Sequence, residues 1–208
     1  MDQDPLLVEI LQDAQGRGFL GSEPVDRHVD HSRELAAAIG TCTGTFLDLG
    51  SGAGVPGLVL ALAWPDAHGY LLDSQQRRCS FLADAIDRLG LAERLEVCCG
   101  RAEELARTPG LRGRLDLVVA RSFGRPAVTA ECAAGFLRAG GRLVVTEPPE
   151  GSSGLRDRWP EDAVRELGYG PAAGLRWGNT GAVELAALAD PDERWPRRIG
   201  RPAKSPLW

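Results

Sequence analysis

Short apolar runs alternate with amphipathic stretches along most of the chain. Runs of four to six residues that are rich in Leu, Val and other apolar residues predict strands at 45–49, 69–73, 95–98, 115–120 and 142–146. Apolar residues at helical spacing predict helices at 5–15, 25–39, 58–63, 77–89, 102–107 and 126–137. Strands that are apolar on both faces and alternate with helices indicate a parallel sheet covered on both sides.

The last part of the chain has a different pattern. A helix is predicted at 156–167, and apolar stretches at 172–177 and 182–189 are predicted to close the sheet as a hairpin. The predicted fold class is therefore α/β, with a mostly parallel seven-stranded sheet, a C-terminal antiparallel hairpin and N-terminal helices. We expect three parts: an N-terminal helical segment at 1–40, a main domain at 41–193 and a basic arm at 194–208.

Composition excludes several chemistries. The chain has 208 residues and 24 Lys and Arg, of which Lys204 is the single lysine. A phosphate-binding P-loop, a pyridoxal phosphate enzyme and a Tyr-x-x-x-Lys dehydrogenase each need a lysine elsewhere in the chain. No apolar run is long enough to cross a membrane and the first residues are acidic, so we expect a cytoplasmic protein with no membrane partner. The five cysteines are expected to be reduced structural thiols.

Charge is unevenly distributed along the chain. The net charge is −5, but residues 194–208 hold five cations and no acid, which leaves −10 on the rest. Those cations are Arg194, Arg197, Arg198, Arg201 and Lys204. The sequence therefore pairs an acidic body with a basic arm.

The most informative segment is FLDLGSGAGVPG at 46–57. A strand that ends in Gly-x-Gly-x-Gly and leads into a helix lets a ligand approach the backbone closely. The segment also contains the dinucleotide fingerprint Gly-x-Gly-x-x-Gly, but Asp48 before the glycines would repel a pyrophosphate and can accept from an ammonium group. A cationic ligand without phosphate is favoured, and S-adenosylmethionine fits, with Asp73 at the end of the second strand accepting its ribose hydroxyls.

Two further strand ends complete the predicted site. Residues 100–103 follow the third strand, where a backbone N–H and a short side chain can bind the adenine edge, and Arg121 ends the fourth strand. The predicted cofactor-binding residues are Asp48, Gly50, Ser51, Gly52, Gly54, Asp73, Ser74, Ala102, Glu103 and Arg121. His28 and His31 have no further metal-ligand partners in the sequence, so we predict no metal site.

Several motifs resemble the GidB (RsmG) family of methyltransferases. They are 46–57, LLDSQQRRCSFL at 71–82, GRAEEL at 100–105, Ala120-Arg121 and WPRRIGRPAKSPL at 195–207. The resemblance extends from about Arg27 onward. It implies a Rossmann-like class I fold and transfer of methyl from S-adenosylmethionine to N7 of a guanine in small-subunit ribosomal RNA. The implied partner is ribosomal RNA or the small ribosomal subunit.

Guanine N7 carries no proton, so the implied reaction needs alignment of the reactants and no general base. We expect Arg121 and Arg101 to be the catalytic residues that orient substrate and cofactor. Arg197, Arg198 and Arg201 are expected to bind substrate phosphates.

The chain departs from the family pattern at two places. No Asn-Leu-Thr precedes the segment 27–32, and Glu147-Pro148 stands where the family has Lys-Gly. A glutamate beside an anionic substrate reverses the local electrostatics. Two alternatives therefore stay open: methylation of another RNA or a small molecule, and a non-catalytic cofactor-binding paralogue.

Overall fold

The computed structural model describes residues 5–148, 154–177 and 180–208. Its centre is a seven-stranded sheet with the order β3-β2-β1-β4-β5-β7-β6. The strands are β1 (Thr45–Leu49), β2 (His68–Asp73), β3 (Leu95–Cys99), β4 (Leu115–Ala120), β5 (Leu137–Glu147), β6 (Ala173–Trp177) and β7 (Thr180–Ala186). The helices are α1 (Pro5–Gly16), α2 (Val25–Ile39), α3 (Gly57–Ala63), α4 (Gln76–Arg88), α5 (Ala102–Leu105), α6 (Pro126–Ala134), α7 (Leu155–Arg158), α8 (Glu161–Glu166) and α9 (Arg201–Lys204).

The predicted fold class is confirmed. Strands β1 to β5 pair in parallel, whereas β7 lies antiparallel between β5 and β6. The chain moves outward from β1 to β3 and then returns to the other side of β1 at β4. In such a sheet, the carboxyl ends of β1 and β4 open the crevice in which ligands bind.

The predicted and observed elements differ mainly beside a proline and where strand pairing extends a strand. The helix predicted at 156–167 is divided into α7 and α8 by Trp159-Pro160, because proline disfavours the helical conformation in the residue before it. Strand β5 begins at Leu137, earlier than predicted, and pairs with Leu115 before a register shift. Elsewhere β1, β4 and α2 have their predicted bounds.

The alternation of side chains along the strands forms a core on each face of the sheet. Phe46 and Leu117 belong to the core covered by α1 to α4, and Leu47 and Val118 belong to the opposite core. All four side chains are buried. Both faces of the central strands are therefore covered, as expected for parallel strands joined by helical crossovers.

The expectation that all five cysteines are reduced thiols is wrong for two of them. Cys79 in α4 and Cys99 at the end of β3 form a disulfide, with their Cα atoms 5.8 Å apart. Cys42, Cys98 and Cys132 are free. The sequence spacing of 20 residues gave no sign of this contact, because it arises only when α4 packs beside β3.

Residues 194–208, the basic segment, pack onto the main domain. The Trp195 side chain is buried and donates through its indole N–H to the Glu166 carbonyl. Arg112 donates to the Trp195 carbonyl at 3.0 Å. No helix of the described residues is long and apolar enough to span a membrane.

Arg197 is the central anchor of the basic segment. Its Nε and Nη2 donate to the two carboxylate oxygens of Glu131 at 2.8 and 2.6 Å, and its backbone N–H donates to the same carboxylate at 2.9 Å. Glu131 is fully buried, so this pair satisfies a carboxylate that water cannot reach. The prediction that Arg197 binds substrate phosphates is therefore corrected, because its guanidinium is engaged within the fold.

Arg197→Ala should lower the free energy of unfolding by about 3 kcal/mol, because it leaves a buried carboxylate without its cation. The double variant Glu131→Gln with Arg197→Met should lose less, since it removes both charges together. Urea denaturation measures both. Arg198→Ala is the control, as Arg198 is exposed, and a loss for Arg197→Ala no larger than for this control would contradict the interpretation.

Candidate cofactor and acceptor site

The turn after β1 is held against the end of β2. The backbone N–H groups of Gly50 and Ser51 both donate to the Leu72 carbonyl, at 2.9 and 2.8 Å. Gly50 has a φ of 80°, and a Cβ there would lie 2.6 Å from the Phe123 ring. Glycine is therefore required at Gly50 both for the left-handed backbone and for the close approach of Phe123.

Asp48 lies beneath this turn. Its carboxylate is buried and accepts a hydrogen bond of 2.9 Å from the Gly57 N–H at the start of α3. Burial raises the pKa of Asp48 to about 7. Asp48 lines neither of the two cavities at this edge of the sheet, so its contacts stabilise the start of α3. Its binding of the cofactor's amino group stays a prediction.

Asp73 lines the first of these cavities, of about 390 Å³, which we call the cofactor cavity. Its Oδ2 accepts from the Gly52 N–H at 3.0 Å and its Oδ1 accepts from the Gln75 N–H at 2.8 Å. The Arg78 guanidinium lies 3.5 Å from Oδ2. The cofactor cavity also brings together Gly50, Ser74, Ala102 and Glu103 of the predicted set, at the ends of three neighbouring strands. A carboxylate and a Gly-rich turn on one cavity fit a nucleoside such as that of S-adenosylmethionine.

Glu103 links the cofactor cavity to the basic segment. Its Oε1 accepts from the Gly200 N–H at 2.9 Å and from Arg101 Nη2 at 3.2 Å. Burial alone would raise the pKa of Glu103, but these hydrogen bonds and the Arg101 charge lower it overall. Arg101 itself is half-exposed and lines the cofactor cavity. It is therefore placed beside the predicted adenine site and not with Arg121.

A second cavity, of about 710 Å³, lies between the start of α2 and the ends of β4 and β5, and we call it the acceptor cavity. Arg121 and His28 meet on its wall, with Arg121 Nη2 2.6 Å from His28 Nδ1. Arg121 Nη1 is buried and has no hydrogen-bond partner among the described residues, whereas the His28 ring also interacts with the Gly21 backbone. A buried guanidinium N–H without a protein partner indicates a water or a ligand that pairs with it.

The pKa directions and the hydrogen bond together indicate where the protons of Arg121 and His28 lie. Burial, and then the neighbouring Arg121 charge, lower the pKa of His28. Burial also lowers the pKa of Arg121, which still stays cationic at neutral pH. His28 is then neutral and accepts through Nδ1 from Arg121, which leaves Nε2–H as a donor. Arg121 Nη1 is the donor of this pair that has no partner among the described residues.

Phe123, which the sequence reasoning did not single out, separates the two cavities. Ser122, Phe123 and Gly124 line both of them, directly after Arg121 at the end of β4. Ser122 has a φ of 56°, a left-handed conformation that non-glycine residues rarely adopt. Strained backbone of this kind clusters at functional sites. The sequence signal for Phe123 was its position just after the end of β4, where only Arg121 had been selected as a site residue.

Glu147 does not face the acceptor cavity as an unpaired anion. Arg158 donates through Nε to one oxygen of its carboxylate, and Trp159 donates through its indole N–H to the other at 2.9 Å. The expectation that Glu147 reverses the electrostatics of the substrate side is thus corrected, since Arg158 compensates its charge. No group of three or more His, Cys, Asp or Glu side chains in the described part of the chain could hold a metal ion.

Solved methyltransferases share this architecture. A methyltransferase from Geobacter sulfurreducens superposes with a TM-score of 0.59 at 18% identity, covering 91% of each chain. The mitomycin 7-O-methyltransferase MmcR gives 0.59 at 16% identity, covering 77% of this chain and 54% of its own. These likenesses show that the chain has the fold of the class I methyltransferases.

The family is more specific than the fold. A model of the GidB family, described as rRNA small subunit methyltransferase G, matches residues 21–149. The ribosomal RNA small subunit methyltransferase G of Symbiobacterium thermophilum is 34% identical over 99% of this chain and 79% of its own. That of Moorella thermoacetica is 35% identical over 77% and 68%, and that of a Mycobacterium species is 40% identical over 62% and 57%. The chain belongs to the GidB family.

Replacing Asp73 should weaken cofactor binding. Asp73→Ala removes the carboxylate expected to accept two ribose hydroxyls, so the Kd for S-adenosylmethionine should rise about thirtyfold or more. Asp73→Asn, which keeps one acceptor oxygen, should fall between this variant and wild type. Isothermal titration calorimetry measures all three, with Asp87→Ala on the exposed face of α4 as the control. If Asp73→Ala binds as tightly as Asp87→Ala, the assignment is wrong.

The free energy of unfolding should decrease as the pH is lowered, because His28 takes up a proton more readily in the unfolded state. Its folded pKa is lowered, so the unfolded state takes up a proton first as pH decreases. The contribution of His28 is complete above its unfolded pKa of about 6.5 and is lost as pH falls below that value. His28→Asn keeps an acceptor for Arg121 but does not titrate, so it should lose less stability between pH 7.5 and 5.5.

Urea denaturation at the two pH values tests this dependence. His68→Asn at the exposed start of β2 is the control and should behave as wild type. Equal losses in His28→Asn and wild type would show that His28 is not the responsible group.

Proposed function

We propose that this chain transfers a methyl group from S-adenosylmethionine to N7 of a guanine in small-subunit ribosomal RNA. The observation that carries the proposal is the contact between Arg121 and His28 on the wall of a cavity that adjoins the cofactor cavity, where Arg121 Nη1 has no hydrogen-bond partner among the described residues. Guanine presents O6 and N7 as neighbouring acceptors on one edge. A donor that binds O6 leaves N7 free to face the cofactor. The names of the relatives support ribosomal RNA as the substrate.

Bound S-adenosylmethionine supplies an electrophilic methyl group on a positively charged sulfur. Asp73 would hold the ribose, and the backbone of 50–54 would hold the methionyl part. Phe123 lies between the cofactor and acceptor cavities, where it can exclude water from the reacting atoms. Because N7 has a lone pair and no proton, the remaining task of the protein is to orient the base, and Arg121 and His28 perform it.

The basic segment supplies the long-range attraction for RNA. Arg198 and Arg201 are exposed and have no ion-pair partner in the described ranges, so we infer that they bind backbone phosphates. Arg197 is left out of this role because Glu131 engages it. Deleting residues 194–208 would also remove the buried Trp195, so neutral substitutions test the phosphate contacts more cleanly than truncation.

The contacts of Glu147 and Arg121 argue against both alternatives, a small-molecule methyltransferase and a non-catalytic paralogue. Methylation of a small molecule was favoured by the acidic body and by Glu147, but Arg158 neutralises Glu147. A degenerate, non-catalytic paralogue would not be expected to keep a buried guanidinium N–H without a protein partner beside a cofactor cavity, because such a group is costly without a ligand. Ribosomal RNA is therefore the favoured acceptor.

Transfer of labelled methyl from S-adenosylmethionine to purified small ribosomal subunits tests the proposal. We expect one labelled guanine, mapped to N7 by its chemical lability. Arg198→Ala with Arg201→Ala should raise the KM for subunits and lower the slope of log affinity against log salt by about 1.5, which corresponds to two phosphate contacts. Cofactor binding without transfer to any RNA would refute the proposal and favour the non-catalytic paralogue.

A further inference from the structure

The acceptor cavity is also lined by the end of β5, which lies beside the end of β4, and by residues at the end of α7. Glu147, Arg158 and Trp159 line it, and Arg158 is about one quarter exposed, at 28%. Neither the predicted site nor the family motifs include Arg158. Arg158 therefore adds a cation to the cavity that Arg121 and His28 also line, and in which the methylated nucleotide would sit.

We propose that Arg158 is a substrate-binding residue, whose two Nη groups bind a phosphate of the RNA beside the methylated nucleotide. The inference rests on the function proposed above, and it adds a specific residue and the group that this residue recognises. A guanidinium matches the geometry of two phosphate oxygens, which it can bind through parallel hydrogen bonds.

The guanidinium of Arg158 is held from one side only. Its Nε donates to Glu147, while its Nη atoms have no hydrogen-bond partner within the described ranges. Glu147 is itself fixed by Trp159, whose indole N–H donates to its other oxygen at 2.9 Å. The carboxylate therefore orients the planar group and leaves the Nη edge available, so little side-chain entropy is lost when a phosphate binds.

The backbone of Arg158 is held by the basic segment. Trp208 donates through its indole N–H to the Arg158 carbonyl at 2.9 Å, and its ring packs edge-on against Trp159, with centroids 6.5 Å apart. Arg197 in turn donates to the Ser205 carbonyl at 2.9 Å. Contacts with Glu147 in β5 and with Trp208 in the basic segment thus stabilise the end of the four-residue helix α7.

Charge elsewhere in the lining of the cavity favours this orientation of the substrate. The α2 side of the acceptor cavity carries the carboxylates of Glu23 and Glu34 as well as the cation Arg27. A phosphate near those acids would be repelled, whereas one beside Arg158 meets free N–H donors. The neutral base can then occupy the space beside Arg121, so the cavity distinguishes the two halves of the nucleotide.

Steady-state methylation of small ribosomal subunits by Arg158→Ala tests the proposal. We expect the KM for subunits to rise about tenfold, the effect of one lost charge-assisted contact, with kcat and the Kd for S-adenosylmethionine within twofold of wild type. The salt slope for RNA binding should fall by about 0.8. Arg158→Lys should recover the salt slope but not the full KM, because an ammonium lacks the paired Nη groups.

Arg165→Ala in α8 is the matched control, since Arg165 is an exposed arginine paired with Glu161 and does not line the cavity. The double variant Glu147→Gln with Arg158→Ala leaves no uncompensated charge, and its melting temperature and KM guard against a folding defect. An unchanged KM and salt slope in this folded double variant, with an active wild type, overturn the role of Arg158 alone. A wild type that methylates no RNA overturns the proposed function together with it.

Discussion

The hydrogen bonds between the turn after β1 and the end of β2 are the constraint on which the site depends. Gly50, Ser51 and Gly52 donate their backbone N–H groups to Leu72 and to the Asp73 carboxylate. The Gly-rich turn and the predicted ribose acid are thereby placed together. Asp48 stabilises the start of α3 by accepting a hydrogen bond from the Gly57 N–H. The parallel sheet therefore determines where the turn and Asp73 lie at the edge of the cofactor cavity.

The basic segment has a structural role in addition to its charge. Arg197 satisfies the buried carboxylate of Glu131, and the Gly200 N–H satisfies Glu103 beside the cofactor cavity. Trp208 supports Arg158 at the acceptor cavity. One segment therefore contacts residues that line each of the two cavities, while Arg198 and Arg201 remain exposed.

Much of the fold followed from local pattern. The strands β1 and β4 and the helix α2 were predicted with their observed bounds, because apolar runs and helical spacing are properties of neighbouring residues. Asp73 was likewise predicted at the cofactor cavity from its place after a strand. The break between α7 and α8 was missed although Pro160 signals it, because the apolar spacing on either side continues through the proline.

By itself, the sequence determined the α/β class, the Gly-rich turn, the family and the strand ends that carry the site. Only the tertiary structure decided which charged side chains pair within the fold and which face solvent. Arg197 and Arg198 are neighbours of identical type, yet one is paired with the buried Glu131 and the other faces solvent. Glu147 looked like an anion facing the substrate until Arg158 was found beside it. The reason is physical: the state of a charged group depends on partners and burial that distant parts of the chain supply on folding.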